Sequence, residues 1–312
     1  MIRPAKVGGG PGSTLRLAVA ALGDDPGTGQ AALELARRLA GRSGVAPGVP
    51  VEMFPRDGPR PDPFSVRCRV GRLDAEAVVV VAPTRWGPRR VVPAAVVRGR
   101  PVGLVQADGP EDLPPERPVA ASPAVPWLVT AMGKDAFLEP TEHWAETLNS
   151  AGRTARDLRA DRARRDDLVA ALRSGPGVVL YAGHGRTRGW SGYQGLRWRH
   201  LRPEGDTVRP AGVVVAFACD TLKRSRSRVA FGSRLVASGV ARAYLGAVGS
   251  IRTMDAEVLS ELVVRHLAWG PIPTVAELVR SVEEAVADEP SAGAAWRSFR
   301  LLGDPSTRLT AA

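Results

Sequence analysis

Cysteine is nearly missing from this sequence. Among 312 residues there are two, Cys68 and Cys219. At most one disulfide can form, which excludes the disulfide-stapled scaffolds of small secreted proteins. Aromatic residues are only 5% of the chain, so alanine, valine and leucine must fill the interior. No apolar run approaches the roughly 18 residues that a membrane-spanning helix needs. Met1–Ser13 is Gly/Pro-rich and lacks the apolar stretch of a signal peptide. These absences lead us to expect a cytoplasmic chain with no membrane partner. Metal and cofactor signatures are missing too. There is no Cys-x-x-Cys, and His143, His200 and His266 have no ligand spacing among themselves or with Cys68. Gly8-Gly9-Gly10-Pro11-Gly12 precedes the first apolar run, whereas a phosphate or dinucleotide loop follows a strand. No metal and no cofactor is expected.

What is present is globular: 44% hydrophobic and 24% charged residues, enough to bury a core in one large domain or two smaller ones. The formal net charge is +11. Only three of the 43 basic residues are lysines (Lys6, Lys134, Lys223); the rest are arginines. With abundant Ala, Gly and Pro, that skew looks like coding from a GC-rich genome. The arginines are scattered, not striped, which argues against nucleic acid as the partner.

Apolar runs alternate with helical patterns. Leu15–Leu22, Val49–Phe54, Arg67–Val70, Ala77–Ala82 and Pro101–Ala107 read as strands, with a helix over Gln30–Leu39. Asp108–Pro126, rich in Pro, Asp and Glu, reads as a linker. The pattern then restarts. Trp127–Ala131, Thr154–Leu158, Val178–Tyr181, Val213–Phe217 and Ala243–Val248 read as strands. Helices are expected over Pro140–Ser150 (Thr141 as N-cap), Ala163–Arg173, Phe231–Ser238 and Ala256–Ala268 (closed by Gly270). Thr274 and Glu277 have capping-box spacing for one more helix. The expected organisation is a flexible tail (1–13), an N-terminal α/β subdomain (14–116) and a second α/β domain (117–312) with a mainly parallel sheet.

Two segments carry chemistry. Val178-Val179-Leu180-Tyr181-Ala182 runs into Gly183-His184-Gly185, and Val213-Val214-Val215-Ala216-Phe217 runs into Ala218-Cys219-Asp220. Continuous apolar strands belong inside a parallel sheet, and such sheets bind ligands at the carboxyl ends of their strands. If the two strands are neighbours, His184 and Cys219 emerge side by side, as a nucleophile and its base require. A lone cysteine is more often a small buried hydrophobe. The paired strand endings and the glycines flanking His184 favour the dyad. Gly183 and Gly185 allow a sharp exit and leave the Gly185 N–H free to point at an oxyanion.

These residues resemble the caspase-fold cysteine peptidases of clan CD, which include caspases, gingipains, separases and bacterial CHAT domains. Gly185-Arg186-Thr187-Arg188-Gly189-Trp190 is similar to the Gly-x-x-x-x-Trp segment after the gingipain histidine. Gly232–Val240 resembles the helix and glycine turn that follow the cysteine, and Gly303-Asp304-Pro305 the element that closes gingipain and CHAT domains. The resemblance runs from about residue 120 to the C-terminus. It implies a caspase-like α/β/α sandwich and a cysteine endopeptidase acting on a protein or peptide substrate.

By that resemblance the backbone N–H groups of Gly185 and Cys219 form the oxyanion hole. A carboxylate just after the first strand of the catalytic domain, Glu139 or Asp135, is the candidate for orienting His184. In caspases and metacaspases the residue two before the cysteine helps form the primary pocket; here it is Phe217, a departure from pockets built for Asp or Arg. Phe217 either lines that pocket or packs in the core. Asp220 either attracts a basic side chain or caps the following helix. Trp190 either walls the cleft or fills the core. Lys223–Arg228 has four positive charges in six residues. It reads as a solvated loop or as a regulatory, self-cleaved loop over the site. Two functional classes follow: an active endopeptidase, and a caspase-like interaction module in a signalling or defence complex whose dyad is idle or conditionally assembled.

Overall fold

The computed structural model describes residues 14–23, 25–54, 62–116, 126–202, 209–225, 228–271 and 274–309. The expected tail over 1–13, and 117–125 of the expected linker, lie outside them.

Thirteen strands are present among these residues: β1 (Leu17–Leu22), β2 (Val51–Phe54), β3 (Ala77–Ala82), β4 (Val96–Val97), β5 (Arg100–Gln106), β6 (Trp127–Ala131), β7 (Ala155–Asp157), β8 (Val178–Ala182), β9 (Gly185–Arg186), β10 (Gly189–Trp190), β11 (Ala211–Phe217), β12 (Ala241–Ala247) and β13 (Phe299–Gly303). Ten of them lie side by side in one sheet, in the order β2-β1-β3-β5-β13-β12-β11-β8-β6-β7, with β4 paired to β5. The sheet is two parallel blocks of opposite direction. β2, β1, β3, β5 and β13 run one way, and β12, β11, β8, β6 and β7 the other. They meet at the antiparallel pair β12–β13. The mixed α/β class with a mainly parallel sheet is as expected.

The strands read as unbroken apolar runs because both faces are covered. β3, β8 and β11 are buried at every position. Alternate residues serve opposite layers. Val179, Tyr181, Val214 and Ala216 pack with the helices 165–173 and 231–237. Val178, Leu180, Val215 and Phe217 pack with the helices 135–150, 253–269 and 275–285. At about 25 cal/mol per Å² of apolar surface removed from water, such two-sided burial is the main stabilising term.

Four local expectations are corrected. Arg67–Val70 is helical, part of Pro63–Val70. Asp62 caps it through Phe64 N and Ser65 N, Pro63 starts it, and Val66 and Val70 are buried one helical turn apart. The helix expected at Pro140 begins at Asp135, with Pro140 inside it. Thr141 is not its N-cap: its hydroxyl donates backward to the carbonyls of Phe137 (2.7 Å) and Leu138 (3.0 Å). Gly270 ends the helix Thr253–Trp269 in an extended conformation, not the left-handed one. Cys68 therefore sits on a helix, and both cysteines are free. The capping box holds: Thr274 N donates to Glu277 at 3.1 Å, and Glu277 N to the Thr274 hydroxyl at 3.3 Å.

Candidate active site

β8 and β11 are adjacent and parallel, and Ala182 pairs with Phe217. His184 and Cys219 each lie two residues beyond that pair, so they leave the sheet at the same level. Both line one cavity of about 160 Å³ at the carboxyl edge of the second block. His184 is exposed and Cys219 half-buried.

The turn carrying His184 is held from its backbone. The His184 carbonyl accepts from Ser191 N (2.9 Å) and from the Tyr181 hydroxyl (3.2 Å), and that hydroxyl accepts in turn from Gly192 N (3.2 Å). Burial pushes the Tyr181 phenol far above its ordinary range, so it stays a neutral donor. Trp190 stacks on the Tyr181 ring at 4.0 Å. Gly185 and Trp190 form the cross-strand pair of the small hairpin β9–β10. With the Ser191–His184 bond beside it, this is a pair whose own N–H groups point away from the partner strand. The Gly185 N–H is left out of the ladder, and Cys219 N has no hydrogen-bond partner among the described residues. Gly185 is obligatory for close approach, since a Cβ there would sit 2.5 Å from the Cys219 carbonyl oxygen. At Gly183, with φ +155°, a Cβ would meet the Tyr181 hydroxyl at 2.5 Å.

Cys219 Sγ accepts from Ile251 N at 3.4 Å and lies 3.5 Å from the Ile251 carbonyl, which its thiol can reach as donor. No hydrogen bond joins His184 to Cys219 among the described residues. The Phe137 ring and the imidazole meet instead in a T-shaped contact, centroids 5.1 Å apart.

The remaining candidates divide. Phe217 lines the cavity and also packs in the core, its ring 5.4 Å from that of Trp144. Trp190 is fully buried, bonds its indole N–H to the Tyr244 hydroxyl (3.3 Å), and does not line the cavity. Asp135 and Glu139 are exposed, touch neither the cavity nor His184, and lie on the helical stripe that includes Glu142. Ala136, Phe137, Pro140 and Trp144 of that helix face the cavity. Asp220 caps no helix. It sits at φ +60° in a turn closed by Lys223 N to its carbonyl (3.1 Å), with Lys223 Nζ 3.4 Å from its Oδ1. Arg224 donates to the Thr84 carbonyl, tying this loop to the N-terminal half. Residues 226–227 of Lys223–Arg228 lie outside the described residues.

Sequence reasoning missed Phe137, Trp144, Ile251, Ala256 and Glu257. They follow β6 and β12, which flank β8 and β11 in the sheet, so these segments also emerge at this edge, an arrangement set by the strand order and not by any local sequence signal. No group of three or more metal-ligating side chains occurs among the described residues, and no described helix is long and apolar enough to cross a membrane.

Comparison with known proteins gives the following. The model of peptidase family C25 matches residues 126–310. The crystal structure of the Arg-specific cysteine proteinase gingipain R matches with a TM-score of 0.68 at 12% identity, over 95% of this chain and 78% of that one. The complex of the Porphyromonas gingivalis RgpB pro- and mature domains matches at 0.67 and 11%, over 93% and 79%. The Saccharomyces cerevisiae separase–securin complex matches at 0.50 and 10%, over 73% of this chain and 16% of that one. At these identities the structural likeness is one of fold. No curated protein matches the chain.

Proposed function

The chain belongs to peptidase family C25 and is a cysteine peptidase; we propose that it cuts peptide bonds with Cys219 as nucleophile and His184 as base, on a dedicated protein or peptide substrate. The observation that carries this reading is the shared edge: both side chains end adjacent strands at one level and line one cavity.

His184 takes the thiol proton as Sγ attacks the scissile carbonyl carbon. The oxyanion is held by the free N–H groups of Gly185 and Cys219. As the C–N bond breaks, His184 returns the proton to the leaving amine. Water, deprotonated by His184, then hydrolyses the thioester and restores the thiol. His184 is positioned through its carbonyl and the Phe137 ring; a carboxylate partner at Asp135 or Glu139 is not part of this proposal. The gingipain R of the comparison is Arg-specific by name. That preference is not carried over, because the cavity here has no buried carboxylate.

One observation favours the second reading, a module whose dyad assembles on demand: the thiol rests on the Ile251 backbone and not on His184. Apo geometry of this kind is common in competent sites and tightens with substrate. The two readings separate on thiol titration. Iodoacetamide should abolish cleavage of a proteome-derived peptide library in step with alkylation of Cys219. Cys68→Ala should remain active and equally sensitive. Cleavage that persists after Cys219 is fully alkylated contradicts the proposal.

A further inference from the structure

The cavity beside Cys219 has a wall without buried charge. Phe217 and Trp144, 4% and 1% exposed, form its floor. Phe137, Ala182, Ile251 and Ala256 complete its apolar lining. The one buried hydroxyl in the lining, Ser260, already donates to the Glu257 carbonyl at 2.7 Å and has no proton to offer a guest. Among the described residues, the only ionisable side chain lining the cavity besides His184 and Cys219 is Glu257, and it is exposed, in the second turn of the helix Thr253–Trp269. A carboxylate driven to the floor would lose its hydration and find neither a counter-charge nor a free side-chain donor; a guanidinium or ammonium would find no counter-charge there, and only the Ser260 oxygen as a buried side-chain acceptor. An apolar side chain would gain contact with two aromatic rings.

Resting on the reading of Cys219 as the peptidase nucleophile, we propose that this cavity is the primary specificity pocket and takes an apolar side chain, of leucine to phenylalanine size, from the residue that donates the scissile carbonyl. About 160 Å³ fits one such group. Phe217, two residues before the nucleophile, fixes the character of the floor, and Trp144 fixes its depth.

The test uses four peptidyl acyloxymethyl ketones that differ only in the residue next to the reactive group: Leu, Phe, Arg or Asp. The rate of Cys219 alkylation on the full chain is followed by intact mass. Leu and Phe should react at least about tenfold faster than Arg and Asp. Glu257→Gln should slow the Arg probe further and widen that gap. Ala256→Asp, at a half-buried helical site, should raise the rate with Arg relative to Leu. The proposal is overturned if Arg reacts fastest and Glu257→Gln removes its advantage, or if all four rates agree. If no ketone reacts while iodoacetamide still alkylates Cys219, the reading of Cys219 as a peptidase nucleophile fails, and the pocket assignment with it.

Discussion

At the scale of single residues, the site depends on atoms that leave no room. Gly185→Ala would place a Cβ 2.5 Å from the Cys219 carbonyl oxygen. Either the turn or the nucleophile must then shift, and a displacement near 1 Å costs on the order of 10²-fold in rate. We expect kcat to fall by about that factor while the protein still folds, as steady-state kinetics beside a thermal melt will show. Tyr181→Phe deletes the hydroxyl that donates to the His184 carbonyl and accepts from Gly192 N. Gly192 N then loses its partner while the His184 carbonyl keeps only Ser191 N, which should cost about 1–3 kcal/mol and lower kcat/KM, readable from denaturant melts and kinetics on one preparation. That His184 and Cys219 share one edge was legible in the sequence because each follows an apolar strand, and the two strands are neighbours. Whether Asp135 or Glu139 reaches the cavity was not legible, because proximity in sequence says nothing of helical phase. Residues 136, 137, 140 and 144 face the cavity, and 135 and 139 turn away.

At the scale of elements, two-sided burial made the central strands readable, and β3 and β6 match their expected bounds. The failures share a cause, which is local chemistry overriding a short apolar pattern. Pro63–Val70 holds two valines a helical turn apart, and with Asp62 and Pro63 at its start the same letters make a helix. β13 went unread because Arg300 interrupts it. That side chain is buried, its guanidinium donating to the carbonyls of Val92 (2.7 Å), Arg297 (2.8 Å) and Phe299 (2.6 Å), and burial with the nearby Arg89 pushes it down to about 10. The capping box was readable since its chemistry lies within four residues. Thr274→Ala should therefore cost about 1 kcal/mol, measured as a lower denaturation midpoint, with the order of substrate preference unchanged.

At the scale of the whole molecule, the arrangement of the two blocks could not be read from the sequence. Their opposition rests on β13, which comes last in the chain yet inserts between β5 and β12. Only tertiary packing shows that the carboxyl edge of β8 and β11 is roofed by two helices distant in sequence. The longer of these, Thr253–Trp269, carries a half-buried histidine. Burial, then Arg265, hold His266 below its ordinary value; burial and the guanidinium groups of Arg165, Arg199 and Arg197 do the same for His200. A depressed histidine binds its proton more weakly in the fold than in the unfolded chain. The stability this represents is present above the unfolded value, about 6.5, and is lost as pH falls below it. The thermal midpoint should drop between pH 7 and pH 5, and His266→Gln should flatten that slope.

The central claim is that Cys219 and His184 together cut peptide bonds. A proteome-derived peptide library, digested by wild type, Cys219→Ala and His184→Ala and read by mass spectrometry, tests it most directly. Cleavage by wild type, lost in both variants, is the predicted result. Cleavage that survives in Cys219→Ala, or a library left intact by all three proteins, would contradict the account.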